Sequence, residues 1–204
     1  MPNSSIGSIG FIGLGAMGAP MCHNLARKAS VPVMAFDLDH NRINQAVGYG
    51  AIAANDLAQV ATADLIFVCL PGESETLEVC TAKDGLLQHM AADKTLVDCT
   101  TTTVSSNHLI ANELNNVGVN FADAPVARGV LNAVEGTLSI TVGASAETSA
   151  VGSDLRLDLS RRDSAYAMWC LSIAVVRNLM ILSSRRNSVS KGRTAEPSAS
   201  HSIR

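Results

Sequence analysis

Aromatic residues are scarce in this chain of 204 residues, with Phe, Tyr and Trp together at 3%. Hydrophobic residues reach 47%, so the core has to be built from Ala, Val, Ile and Leu, which suits helices packed closely on a sheet. No Cys-x-x-Cys pair occurs among Cys22, Cys69, Cys80, Cys99 and Cys170, and the histidines show no ligand spacing. No metal is therefore expected. Cys69 and Cys99 stand at the ends of apolar runs and read as core thiols of a reducing compartment. A basic excess is also missing: the net charge of −3 argues against nucleic acid as the main partner. No apolar run reaches the roughly 20 residues of a membrane span. The best candidate, Ala165–Leu182, is broken by Arg177 and Asn178, so no membrane partner is expected. No basic or apolar leader precedes the first apolar run, which predicts the absence of a targeting segment and a cytoplasmic location.

What the chain does have is alternation. Apolar runs at Ile9–Ile12, Val33–Phe36, Leu65–Leu70, Thr95–Val97, Val119–Ala122 and Leu138–Val142 read as strands. Helical stretches are expected at Met17–Ala29, Asn41–Val47, Leu57–Ala61, Glu75–Cys80 and Val104–Val117. Strands that alternate with helices imply right-handed crossovers and a parallel sheet covered on both faces. Ligands of such sheets bind beyond the carboxyl ends of the strands. That rule places residues 13–18, Asp37, Leu70, Pro71, Thr100–Thr103 and Asp123 on one rim.

The first strand runs into Gly13, Gly15 and Gly18, a G-x-G-x-x-G turn followed by a helix. Gly13 permits the tight turn, Gly15 lets the backbone approach a pyrophosphate, and Gly18 lets the helix pack on the strand. About 20 residues further on, the second strand ends in Asp37, where a carboxylate accepts hydrogen bonds from an adenosine ribose. A carboxylate there repels a 2′-phosphate, so NAD is expected over NADP. The fold class that follows is α/β: a Rossmann-type, doubly wound, mainly parallel sheet with an irregular or partly helical C-terminal tail.

The composition changes near residue 150. Residues 1–150 carry a net charge of −8 and residues 151–204 one of +5, with eight Arg and a single Lys in the second part. We read residues 1–148 as an NAD(P)-binding domain and 149–204 as a tail whose last stretch, Lys191 to Arg204, has a disordered composition. Its Arg/Ser-rich, Lys-poor make-up is that of an out-of-frame or alternatively spliced end. A basic tail of this kind could also dock on an acidic surface.

Four blocks within about residues 6–145 resemble the β-hydroxyacid dehydrogenase family, which includes 3-hydroxyisobutyrate dehydrogenase and tartronate semialdehyde reductase. They are Phe11–Met21 with Asn24 and Leu25; Cys69, Leu70 and Pro71; Asp98, Cys99, Thr100 and Thr101; and Asp123–Val126 with Gly129, Ala133, Gly136, Thr137 and Leu138. The resemblance implies NAD(P)-dependent oxidation of a 3-hydroxy acid to its semialdehyde, or the reverse, with a small hydroxy acid as substrate. It implies cofactor contacts at Phe11, Ile12, Gly13, Leu14, Gly15, Ala16, Met17 and Gly18 for the pyrophosphate and Asp37 for the ribose. Leu70, Pro71 and Thr101 fall on the nicotinamide half, with a further contact at Glu75. The substrate side falls on Asp123, Ala127, Arg128 and Gly129. Thr100–Thr103 read equally as a helix cap.

The chain also departs from the family pattern. Ala127-Arg128-Gly129 stands where the family has Ser-Gly-Gly, so a hydroxyl is lost and a guanidinium gained. Arg128 can bind a second anionic group of a substrate bidentately, or face solvent from a loop. The family's acid/base lysine, in a G-x-x-x-K-x-x-x-N setting, has no counterpart among Lys28, Lys83, Lys94 and Lys191. Arg177 stays protonated and makes a poor substitute. No catalytic residue is therefore assigned. The family's helical second domain is not recognisable either, which predicts a shortened, weakly active chain and puts oligomerisation in doubt. The alternatives are a non-catalytic NAD-binding module, with the tail recruiting a partner, and a methyltransferase built on a similar glycine turn, which the Leu70-Pro71 and Asp123–Val126 blocks oppose.

Overall fold

The computed structural model describes residues 6–144. The chain enters through β1 (Ile9–Ile12), turns at the glycines into α1 (Gly18–Lys28), and continues through β2 (Val33–Phe36), α2 (His40–Gly48), β3 (Ile52–Ala53) and α3 (Leu57–Val60). It then crosses over to β4 (Leu65–Val68), α4 (Glu73–Thr81), β5 (Thr95–Asp98), α5 (Val104–Asn116) and β6 (Asn120–Asp123). The last elements are β7 (Val126–Ala127), α6 (Gly129–Glu135), β8 (Ser139–Ile140) and β9 (Gly143–Ala144). The main sheet has the order β3-β2-β1-β4-β5-β6-β9, parallel from β3 through β6 and antiparallel only at β9. The order reverses between β1 and β4, and open sheets of this kind form their ligand crevice beyond the strand ends at that switch.

Strands β1, β4 and β5 are buried throughout, as central parallel strands with helices on both faces must be. The sheet divides the core in two. On one face Phe11, Leu14, Cys22, Leu25 and Phe67 pack together, with the rings of Phe11 and Phe67 stacked at 6.1 Å. On the other, Ile12, Val60, Ile66, Cys80, Leu96 and Ile110 do so. Cys22, Cys80 and Cys99 are buried and Cys69 is half-buried, in keeping with core thiols; all four are free.

The expected α/β architecture is the one observed, and β1 and β2 agree with the sequence reading to the residue. The differences lie at the edges. Cys69 and Leu70 fall outside β4, because the chain has already turned toward the rim. β6 starts and ends one residue later than expected. The run Leu138–Val142, expected as one strand, is a strand only at Ser139–Ile140, where β8 pairs with β7 in a separate ribbon; β9, which joins the sheet edge, begins after the run at Gly143. Leu138 and Val142, at the two ends of the run, are buried. Helix α6 was not anticipated. The Ala165–Leu182 stretch, Cys170, Lys191 and the proposed boundary at residue 148 lie outside the described residues.

Candidate functional site

The glycine turn is shaped by contact at two positions and by open space at the third. Gly13 sits at φ +90°, and a Cβ there would overlap the Cys69 carbonyl oxygen. A Cβ on Gly18 would run into the carbonyl oxygen of Gly13, so α1 can approach β1 only without a side chain. A Cβ on Gly15 would meet nothing within 4 Å. The space beside Gly15 lies at the start of α1, whose N-terminus has no side-chain cap and no acidic residue in its first turn. By contrast α2 is capped by Asp39 and α5 by Thr103, and α4 begins with Glu73 and Glu75. Among the described residues, α1 is the one long helix starting at this rim with neither a side-chain cap nor an acidic residue in its first turn. An uncapped helix N-terminus beside an open backbone face fits a pyrophosphate.

Asp37 follows β2 and leans back over the turn. Its Oδ2 accepts the Leu14 N–H at 2.6 Å and its Oδ1 accepts the Asp39 N–H at 2.8 Å. Arg42, on α2, lies 3.6 Å from Asp37 and 3.5 Å from Asp39. Asp37 thus braces the glycine loop from β2, and each carboxylate oxygen keeps a lone pair for a further donor. Two carboxylates share the one guanidinium here. Phe11 and Ile12 bury their side chains in the core. Ala16 is exposed, while Met17 is partly covered.

Beyond β4 and β5, Leu70 is half-buried and Pro71, Glu75 and Thr101 are exposed. Glu75 Oε2 accepts from the Ser74 hydroxyl at 2.9 Å. The four threonines divide their work. Thr103 caps α5 by accepting the Ser106 N–H at 3.3 Å, and Glu73 accepts from the hydroxyls of Thr103 and Ser106, tying α4 to α5. Thr102 donates to Asn107 Oδ1 at 2.7 Å. Thr100 is buried and accepts the Leu70 N–H at 3.0 Å.

Asp98 and Asp123 end neighbouring strands in register. Asp98 is fully buried, its Oδ1 accepts the Thr100 N–H at 2.8 Å, and its Oδ2 has no partner. Burial pushes its carboxyl up to about 6, with the Thr100 bonds pulling the other way and Asp123 adding to the rise. Burial also raises Asp123, against a stabilising bond from the Asn107 side chain. Sequence reading assigned no role to Asp98 or Asn107. The signal for Asp98 was present as a local pattern, since an Asp accepting the N–H two residues on is an Asx turn.

Ala127, Arg128 and Gly129 lead from β7 into α6 and are exposed. Arg128 has φ +88° and Gly129 φ +74°. A non-glycine residue held in the left-handed region costs about 1 kcal/mol or more. The far end of α6 is anchored by Asn24 of α1, whose Nδ2 donates to Ala133 O at 2.9 Å and Val134 O at 3.3 Å. No lysine among the described residues joins this rim. Lys28 ends α1 and Lys83 follows α4, and helices between parallel strands finish at the opposite edge. Lys94 precedes β5 and pairs with Asp64 at 2.6 Å there. Among the described residues no cluster of three His, Cys, Asp or Glu could hold a metal, and no helix is long and apolar enough to cross a membrane.

Residues 8–155 match the family model described as the NAD binding domain of 6-phosphogluconate dehydrogenase. The 2-(hydroxymethyl)glutarate dehydrogenase of Eubacterium barkeri is 41% identical over 138 residues, covering 67% of this chain and 46% of that protein. The mitochondrial 3-hydroxyisobutyrate dehydrogenase of Mus musculus is 34% identical over 148 residues, 72% of this chain and 44% of that protein. The chain thus spans about half the length of these curated relatives. Among solved structures, Mycobacterium tuberculosis 3-hydroxyisobutyrate dehydrogenase with L-serine superposes with a TM-score of 0.66 at 29% identity, covering 72% of this chain and 50% of that one. The glycine turn, the strand order and these relatives agree: the chain belongs to the family of the NAD-binding domain of 6-phosphogluconate dehydrogenase, with β-hydroxyacid dehydrogenases as its relatives, and the match covers their N-terminal, NAD(P)-binding part.

Proposed function

We propose that the described domain binds NAD in preference to NADP and forms the cofactor half of an oxidoreductase that interconverts a 3-hydroxy acid and its semialdehyde. The observation that carries the reading is the vacant face of Gly15 at the uncapped start of α1, with Asp37 fixed over the same turn. Gly13 to Gly18 hold the pyrophosphate and Asp37 the ribose. Leu70, Pro71 and Thr101 line the nicotinamide side, with Glu75 at its margin. NAD, when bound, supplies the hydride acceptor or donor. The preference for NAD rests on charge: Asp37 and Asp39 outnumber Arg42, so a 2′-phosphate meets net repulsion.

On the substrate side, Asp123 and the Ala127–Gly129 turn face the same rim. Arg128 suits a substrate with a second anionic group. Of the relatives, the Eubacterium barkeri enzyme carries a dicarboxylate in its name, and a dicarboxylic hydroxy acid is the class we assign here.

Calorimetric titration of the full chain with NAD and NADP tests this. NAD is expected to bind at least about tenfold more tightly, a difference of roughly 1.4 kcal/mol, and Asp37→Ser is expected to erase the preference. Tighter binding of NADP by the unaltered chain overturns the assignment of Asp37, and binding of neither overturns the cofactor reading.

One observation favours a second reading, a non-catalytic NAD-binding module: all three described lysines stand at the edge of the sheet opposite the rim. Proton transfer by a positioned group contributes about 10²–10⁴ in rate, and no amine is in place for it among the described residues. Following NADH absorbance with a panel of 3-hydroxy acids separates the two. NAD binding without any reduction supports the module, and turnover with any member supports the enzyme.

A further inference from the structure

We propose that Asp98 and Thr100 are positioning residues: they form a latch that sets the loop bearing Leu70 and Pro71 against Thr101, and so shape the nicotinamide end of the cleft. The inference rests on the cofactor reading above and adds to it two residues that touch no cofactor.

The chain of bonds crosses from one strand to the next. The Leu70 N–H donates to Thr100 Oγ1 at 3.0 Å, and the Thr100 N–H donates to Asp98 Oδ1 at 2.8 Å. Leu70 thus donates to Thr100, and Thr100 donates its own N–H to the Asp98 carboxylate. The loop after β4 hangs on the Thr100 hydroxyl, and Thr100 is itself fixed at the end of β5 by a bond to a carboxylate, the stronger kind.

Burial makes the relay specific. Asp98 and Thr100 are both buried, so water cannot replace either partner. Asp98 keeps an oxygen without any partner, a costly arrangement for an acid that serves only to fill the core. The two residues that follow Thr100 and Leu70 in sequence, Thr101 and Pro71, are exposed on the rim. A shift of the latch therefore moves both walls of that end together. The adenosine end, with Gly13 to Gly18 and Asp37, is held by other bonds, from the Gly13 N–H to Phe36 O and from the Leu14 N–H to Asp37 Oδ2.

The test compares NAD with ADP-ribose, which lacks the nicotinamide, by calorimetry on the full chain. The unaltered chain is expected to bind NAD more tightly than ADP-ribose. Thr100→Val keeps the shape of the side chain and removes the hydroxyl. It is expected to weaken NAD about fivefold, the worth of one hydrogen bond near 1 kcal/mol, and to leave ADP-ribose within about twofold. Thr100→Ser restores the hydroxyl and is expected to restore the ratio. Equal weakening of both ligands by Thr100→Val, or of neither, overturns the latch, as does an unaltered chain that binds both ligands equally. If Thr100→Val does not fold, Asp98→Asn decides by the same ratio. Failure of the unaltered chain to bind either ligand overturns the cofactor reading and the latch with it, and is distinguishable from a lost ratio.

Discussion

At the edge of the sheet where the strands begin, Asp64 accepts the N–H groups of Gly7 and Ser8 at 2.8 and 3.0 Å and pairs with Lys94 at 2.6 Å. Lys94 also donates to Thr62 O at 3.1 Å. At the edge where the strands end, Asp98 is more deeply buried and has an oxygen with no partner, Gly15 faces open space, and α1 starts without a cap. The titrations run in opposite directions. Burial pushes Asp64 up, but the Lys94 bond and the backbone donors outweigh it and bring the carboxyl below its usual range. Asp98 is pushed up. The contrast lies in the two carboxylates and the helix start: Asp64 is satisfied from within the chain, while the other edge holds a buried carboxylate oxygen without a partner and an uncapped α1. It is not a contrast of every polar group, since buried Thr95 Oγ1, where β5 begins, has no partner either.

Substitutions at the glycine turn are expected to break the contrast most strongly. Gly18→Ala drives a methyl into the Gly13 carbonyl and is expected to cost about 3 kcal/mol in urea denaturation, the upper range for overpacking. Gly15→Ala, three residues earlier, is expected to leave stability within about 0.5 kcal/mol while weakening NAD about tenfold, since its methyl enters the space assigned to the pyrophosphate. Equal stability losses in the two variants would show that the space at Gly15 belongs to the fold and not to a ligand.

Next in size is the pH dependence set by Asp98. Its carboxyl holds a proton up to about 6 when folded against 3.8 as a free side chain. Between those values the folded chain binds more protons than the unfolded chain, so stability falls as pH rises through that window. The expected loss is roughly 2–3 kcal/mol, read as a decrease in the urea midpoint from pH 4 to pH 7, and Asp98→Asn is expected to flatten it. Asp123 acts in the same direction and Asp64 in the opposite one. A midpoint that rises over this window in the unaltered chain would invert the assignment.

The smallest effect is expected at Asp64. Asp64→Asn removes the ion pair and weakens two backbone bonds, but exposure and screening hold the loss to about 1 kcal/mol. That stability is present above the ordinary carboxylate range and is lost as pH falls through the lowered value of Asp64. NAD affinity is expected to stay unchanged by calorimetry, since the substitution lies at the far end of the strands. A drop in affinity would show that the two edges are coupled.

The parts legible in the sequence are those that local pattern determines. β1 and β2 were readable because a continuous apolar run ends at a glycine turn or an acid. Part of the glycine turn carried its own geometry, since Gly18 is needed for a local contact with Gly13, whereas Gly13 is needed against Cys69, far along the chain. Helix α6 was not readable: it is seven residues long, and Val130, Leu131 and Val134 are exposed, so it shows no apolar stripe facing a core. Its entry runs through two left-handed residues, Arg128 before it and Gly129 as its first residue, which punctuate like a loop. Asp37 was readable as an acid at a strand end, but its bond to Leu14 spans 23 positions and needed the fold. The same holds for Leu70 and Thr100, which meet across 30 positions because β4 and β5 are neighbours.

The buried thiols have a practical consequence. Burial pushes Cys22 up to about 12 and Cys69 to about 11, and it raises Cys80 and Cys99 well above the usual thiol range too. Alkylating reagents attack the thiolate, so each sulfur stays unreactive until the structure around it opens. Cys22 lies on α1, Cys80 on α4 and Cys99 after β5, each beneath a different part of the molecule. The chain thus carries built-in reporters of local unfolding, and pulse-labelling read by mass spectrometry would rank the order in which its parts come apart.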